Sequence, residues 1–467
     1  MAGLENTLGE KAWDPPQFDG SIFFALIFIG VLSTMTHLLH AGVVAFLLLP
    51  LALISNGTGF RFLILLLASY AIFFQPLNPT SYFLIFSIPD SLVLAFIVLA
   101  FFSREKPFNI KFPSNTAFLA LYAFVGYALL LSVASFKKYG ADAYVFHDVK
   151  NILCLLLAPI ILSGDKAGKD LKKVFLAFFA IILFTACYST LILIEFLFVK
   201  DRIITWNEIF ISDSVIASAL LLHRSLSMKT RLLTGVCLVI CTLALLVTQT
   251  RGLWLSTAAC LVLFYAGALL KNLSRIKFSA LVGRILAIGG ITVLIYFLFG
   301  VVFGIHLLEF VRHRLMAFDT FEIINPYSSL GYRLHESMAV WDKMTFLGHG
   351  PGARIHLFFT QGGMSRFIDW WSIHSGYLDI LHKYGILGLG IFLLMLFAFV
   401  LDARRVSRAR NGQVSRLGTL ILLLFLNHLL VSVTSNYLIK DNIAVLFVIL
   451  IYGIEKLKPL AIRAKPV

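Results

Sequence analysis

The sequence predicts an all-α polytopic integral membrane protein of about 12 (up to about 14) transmembrane helices, with one large outer loop that carries short helices. Three observations carry that expectation. Over 467 residues the chain is 59% hydrophobic and only 13% charged, whereas soluble domains hold about 25% charged residues. Its apolar runs recur at the ~20-residue length that crosses a hydrocarbon core. Its basic residues gather in short loops that alternate along the chain, where the positive-inside rule places cytoplasmic segments. The mean hydropathy of +0.91 agrees.

Taken in order, candidate spans lie near 21–36, 41–55, 60–76, 81–102, 116–134, 149–162, 173–199, 211–222, 232–248, 253–270, 281–304, 376–401, 417–434 and 439–455. The second, sixth and eighth are short for a crossing, so one or two are re-entrant or merged. The start, Met1 to Gly20, is polar with two prolines and lacks the shape of a secretory leader. Loops containing Arg104, Lys106 and Lys111, then Lys166 to Lys173, Arg224 to Arg231, Lys271 to Arg284 and Arg404 to Arg416 set one side as cytoplasmic. The tail with Lys456, Lys458, Arg463 and Lys465 joins them. The interval 305–373 then falls outside, which in a two-membrane bacterium is the periplasm. This divides the chain into a helical scaffold (1–304), a periplasmic loop with the residues of a reactive site (305–375), and C-terminal transmembrane helices with a cytoplasmic tail (376–467).

The net charge of +15 follows from that topology and does not call for nucleic acid. Cys154, Cys187, Cys237, Cys241 and Cys260 all fall in apolar runs, which makes them buried thiols rather than metal ligands or disulfides. No His-Glu-x-x-His, Asp-x-Asp or carboxylate pair accompanies the loop, and the sequence calls for no metal and no cofactor.

The candidate site residues come from polar outliers. Arg251, in Val247-Thr-Gln-Thr-Arg-Gly-Leu-Trp-Leu255, sits between two apolar runs with almost no loop. A cation so near hydrocarbon faces a cavity or an anion by default, or else snorkels at a tight turn beside Trp254. Arg333 follows Ser328 and Ser329, either of which can cap a helix with the apolar stripe Leu334, Met338 and Trp341. A cation in the first turn opposes the macrodipole; it suits an anion bound at that end, or is merely an exposed arginine. His374 follows Trp370-Trp-Ser-Ile, an interfacial belt, and opens the next apolar helix. Its imidazole suits proton exchange, although lone interfacial histidines are more often structural. Arg312-His-Arg314 is a basic cluster fit for phosphates or headgroups. Gly348-His-Gly-Pro-Gly352 reads as a turn with glycines at positive φ, without the Lys-Ser/Thr of a phosphate loop. Asp90, Glu195, Asn427 and His428 are intramembrane oddities that the sequence does not assemble.

Three segments in order resemble the bacterial O-antigen ligase and polymerase superfamily. They are Thr248-Gln-Thr-Arg-Gly-Leu-Trp254, then Arg333-Leu-His-Glu-Ser-Met-Ala-Val-Trp341 with Phe346-Leu-Gly-His-Gly-Pro-Gly352, then His374-Ser-Gly-Tyr-Leu-Asp-Ile-Leu-His-Lys-Tyr-Gly-Ile-Leu-Gly388. The last fits the ligase pattern of His, Asn/Ser/Arg, nine residues, Gly, two residues, Gly. The resemblance spans roughly Leu232 to Leu401 and departs at His349, where such members usually carry a small or apolar residue. It implies a C-type glycosyltransferase-like membrane fold. It further implies metal-independent, inverting transfer of a glycan from undecaprenyl diphosphate to lipid A–core, at the periplasmic face of the inner membrane. Arg251 and Arg333 would hold the diphosphate, with Arg312 or Arg314 as weaker candidates, and His374 would take the acceptor's proton. A polymerase and a protein O-oligosaccharyltransferase share that donor. A non-catalytic transporter or flippase is the reading of another class, disfavoured because the informative residues collect in one outer loop rather than at mid-membrane.

Overall fold

The computed structural model describes residues 115–164 (except 141), parts of 178–196, residues 208–222, 228–272 (except 249), 297, 300–301, 329–370 (except 362 and 363) and 372–463 (except 371, 437, 439 and 440). The four spans expected before residue 103, most of the span at 281–304, and the polar residues Asp90 and Glu195 lie outside them.

In chain order the described helices are α1 (Thr116–Tyr139), α2 (Ala143–Cys154), α3 (Leu157–Gly164), α4 (Glu208–Leu222), α5 (Met228–Thr248), α6 (Arg251–Asn272), α7 (Ser329–Asp342), α8 (Gly376–Ser407), α9 (Gly412–Val431) and α10 (Asp441–Arg463). Among them, α1, α8, α9 and residues 231–248 of α5 make four helices long and apolar enough to cross a membrane. The boundaries have local causes. The Asn115 side chain caps α1 by accepting from the Phe118 amide, and Lys137 and Lys138 in its last turn complement the negative helix end. Asp142 and Asn411 cap α2 and α9 in the same way.

The helices form one packed body in which α8 lies against α1, α7, α9 and α10, while α9 also meets α4 and α6. Between apolar helices in lipid, burial adds little drive, so polar contacts and close packing carry more of the specificity. One such contact joins α4 to α9. Asn427 Nδ2 donates to Ser212 Oγ (2.8 Å) and to Asp213 Oδ1 (2.7 Å), and His428 Nε2 donates to Asp213 Oδ2 (2.8 Å). All four residues are buried. The two α9 oddities noted in the sequence thus find their partner on α4.

The interval between α7 and α8 departs from the all-α expectation of short helices alone. Residues Ile355–Gln361 (β1) and Met364–Trp370 (β2) form an antiparallel hairpin, Ile355 opposite Trp370 and Gln361 opposite Met364. The signal was present: two runs rich in aromatic and β-branched residues flank Gly362-Gly363, a strong hairpin linker. A small separate core ties this region to the helices. Val340 of α7, Ile355 and Leu357 of β1, Ile373, and Leu381 of α8 are all buried together, each contributing about 2 kcal/mol if it also leaves water on folding.

The apolar stripe of α7 faces outward. Leu334, Met338 and Trp341 are exposed, whereas Gly331, Glu336 and Val340 are the buried residues of the helix. Helical spacing finds a face but not which medium it meets. An apolar stripe beside a bilayer need not turn inward.

Candidate active site

The site is assembled from three helix ends. The first is the start of α8. Its 32 residues are continuous except at Gly385, whose φ of 69° and ψ of −173° break the helix. That break is patched by the glycine turn: His349 N donates to His382 O (3.0 Å), Gly350 N to Lys383 O (2.8 Å) and Leu387 N to Phe346 O (3.1 Å). The orphaned carbonyls and amides of a broken helix are costly when buried, so the turn is what makes the break tolerable. Backbone approaches so closely that a Cβ on Gly385 would meet Gly348 N at 2.4 Å, and one on Gly348 would meet Gly385 N at 2.5 Å. Gly348, Gly350 and Gly352 do carry positive φ, of 85°, 88° and 77°. The short segment 376–384 is thereby locked, with Lys383 fully inside. Lys383 Nζ bonds Asp148 Oδ1 (3.0 Å) and Asp379 Oδ2 (3.2 Å), and Asp148 Oδ2 accepts from Gly352 N (2.7 Å).

His374 stands two residues before this segment. Its backbone N–H donates to Glu336 Oε2 (2.9 Å), and its ring Nδ1 lies 3.2 Å from both Glu336 oxygens. A carboxylate only accepts, so Nδ1 carries the proton and donates, which leaves Nε2 with its lone pair in the neutral ring. Glu336 is 2% exposed and the His374 side chain 38%: the carboxylate is fixed inside while the imidazole reaches the surface. Tyr332, one turn before Glu336, sets its ring edge-on to the imidazole at 5.4 Å. Arg333 lies between these two contacts in sequence, half-buried at the start of the second turn of α7. Arg333 therefore stands on the same helix as the two residues that touch His374, one position after Tyr332 and three before Glu336.

Arg251 is the first residue of α6 and is also half-buried. The Thr250 carbonyl accepts from the Leu253 and Trp254 amides, while the Thr250 hydroxyl donates to the buried Glu208 at the start of α4. Trp254 Nε1 donates to Leu245 O (2.7 Å), closing the turn between α5 and α6. Gly252 fits where a Cβ would stand 2.6 Å from Thr434 Oγ1. The same turn after α9 receives α8: Gly376 N donates to Ser432 O (2.9 Å), and Ser375 Oγ reaches that carbonyl at 3.4 Å. Arg251 and His374 are thus each within two residues of a contact to residues 432–434. Arg312 and Arg314 lie outside the described residues.

Sequence reasoning missed Glu336, although it stood in the quoted Arg333 segment. The available signal was the pair Tyr332 and Glu336, four apart and so on one face with Arg333 beside it. It missed Lys383 and Asp148 entirely, because nothing local links residues 235 positions apart.

Among the described residues, four apolar helices long enough to span a bilayer mark a polytopic membrane protein, and near their ends stand a carboxylate-held histidine and two half-buried arginines. Residues 236–393, about a third of the chain, match the family model described as O-Antigen ligase. That segment contains Arg251, Arg333, Glu336 and His374. That segment is similar to the membrane glycosyltransferases of the ligase/polymerase type. No curated protein matches the chain.

Proposed function

We propose that this protein transfers a glycan from undecaprenyl diphosphate to lipid A–core at the periplasmic face of the bacterial inner membrane, without a metal and with inversion. The observation that carries the reading is the His374–Glu336 pair, bonded at 3.2 Å with Nε2 left to act, on the helix that bears Arg333. An acceptor hydroxyl attacks the anomeric carbon from the face opposite the diphosphate, so the new C–O bond forms as the old one breaks. The hydroxyl proton goes to His374 Nε2, and the bonding pair leaves on the diphosphate oxygen. Glu336 stabilises the imidazolium formed, as a buried carboxylate does behind other catalytic histidines. Arg251 and Arg333 meet the charge that grows on the diphosphate, being permanently charged and able to grip phosphate through paired N–H groups. Arg251 opens the first turn of α6, where backbone N–H groups add to an anion's stabilisation, and Arg333 opens the second turn of α7. The exposed stripe of Leu334, Met338 and Trp341 lays α7 on the lipid surface, which brings Arg333 to the level of a lipid-anchored diphosphate. In the same scheme Arg312 and Arg314 supply further charge from the loop, and the division 1–304, 305–375 and 376–467 separates scaffold, catalytic loop and closing helices.

The test is deletion of the gene in its host, with analysis of lipopolysaccharide and of undecaprenyl-linked glycans. Unmodified lipid A–core beside accumulated long lipid-linked glycan is the expected result. Cores with a single repeat beside short lipid-linked units would instead make the protein a polymerase. No change in either pool would sink transfer to lipopolysaccharide altogether.

A further inference from the structure

A cationic cavity lies away from His374. It has a volume of about 420 Å³ and is walled by Lys138 at the end of α1, Lys343 and His349 around the glycine turn, Arg354 and His356 before and in β1, and His382 of α8. Small-ligand sites are commonly of this size. No carboxylate lines it. The carboxylates nearby are already engaged: Asp142 holds Arg354 at 2.6 Å, and Asp148 and Asp379 hold Lys383. Arg354 is also fixed over the Tyr144 ring at 4.8 Å. Lys138 and Lys343 are exposed at the rim.

The telling residue is His382. It is 3% exposed and lines the cavity, and neither ring nitrogen makes a hydrogen bond of good geometry, the Arg354 backbone being the group that approaches. Buried polar atoms are rarely left so, and each such case asks for a group that completes it. The His349 ring stands 4.8 Å away, with its Nε2 donating to Lys343 O (2.7 Å). A metal ion is the wrong guest. The surrounding cations repel it, and among the described residues no three His, Cys, Asp or Glu side chains are grouped to hold one. An oxyanion is the right one: it accepts from imidazole N–H, ammonium and guanidinium alike. His382 lies eight residues beyond His374, on the order of 12 Å along a helix at 1.5 Å per residue, so the cavity is not the place of the proton transfer.

We propose that this cavity binds an anionic substituent, a phosphate or carboxylate, carried on a sugar of the acceptor or of the donor glycan. The identity of that ligand rests on the transfer reading above; the existence of an anion site does not. The experiment uses the full-length protein in lipid nanodiscs. Carbethoxylation of His349 by diethyl pyrocarbonate, read by mass spectrometry, is followed with and without inorganic phosphate. Phosphate is expected to slow it in the wild type and to slow it much less in the Lys138→Gln/Lys343→Gln double variant. Equal rates with and without phosphate would overturn the site. In the transfer assay the same variant is expected to raise the KM for a phosphorylated acceptor about tenfold, the effect of losing one charge-assisted contact's worth of binding, with kcat and the KM for a dephosphorylated acceptor unmoved. A rise in the donor KM instead assigns the group to the donor glycan. Protection by phosphate with both KM values unmoved would overturn the substrate assignment. Protection in a protein that transfers nothing would keep the site and sink the transfer reading.

Discussion

Among the described residues, the His428–Asp213 and His374–Glu336 pairs share one kind of contact in opposite surroundings. His428 is fully buried between α9 and α4, bonds Asp213 at 2.8 Å, and shares that carboxylate with Asn427. Its other ring nitrogen, Nδ1, faces no partner, and Phe447 packs at 5.4 Å. His374 bonds Glu336 at 3.2 Å, but its side chain is 38% exposed and two arginines stand at neighbouring helix ends. One pair is shut away from any substrate and fastens helices; the other is open on the side away from its carboxylate. On the proposed function, access of the second nitrogen, not the presence of the pair, separates a clamp from a base.

The comparison can be broken at either pair. Replacing His374 by Ala is expected to lower the rate of glycan transfer by about 10³-fold, the size of a lost general base, with the protein still folded by size-exclusion profile and thermal unfolding. Arg251→Ala and Arg333→Ala are each expected to lower kcat by about 10²-fold or more through lost charge stabilisation; full activity of either in a membrane assay would remove that arginine from the site. Glu336→Gln keeps the shape and removes the charge behind the imidazole. A fall in kcat of about 10²-fold with KM unchanged is expected, together with an altered pH–rate profile, a readout that a merely structural role would not move. At the other pair, His428→Leu leaves the Asp213 carboxylate buried without that donor. The expected cost is about 3 kcal/mol of stability, seen as lower melting temperature, while transfer per folded molecule stays within about twofold. Loss of transfer in well-folded His428→Leu would mean that the clamp is part of the chemistry.

The difference also explains what the sequence could show. Long apolar runs announce membrane helices, and α1, α5, α6, α8, α9 and α10 fall where runs near 116–134, 232–248, 253–270, 376–401, 417–434 and 439–455 were expected. His374, Arg251 and Arg333 stood out because polar side chains are rare in such a chain. Their partners did not. Glu336 looks like any helix surface glutamate until the fold buries it, and Asp213 is invisible as His428's partner because 215 residues separate them. The fifteen-residue stretch from His374 to Gly388 shows the same limit within one motif. Its histidine faces the site, whereas Gly385 serves a helix break that only the glycine turn, some 35 residues earlier in the chain, makes intelligible. The hairpin was legible from Gly362-Gly363 and its flanks, but an expectation of helices everywhere hid it.

Chemical rescue tests the central claim most directly. Purified His374→Gly protein would be assayed for transfer from an undecaprenyl-diphosphate glycan to lipid A–core, with and without added imidazole. Transfer lost in the variant and partly restored by imidazole, but not by equal ionic strength alone, is the result predicted for a base held by Glu336. A His374→Gly protein that transfers at the wild-type rate without imidazole would contradict it.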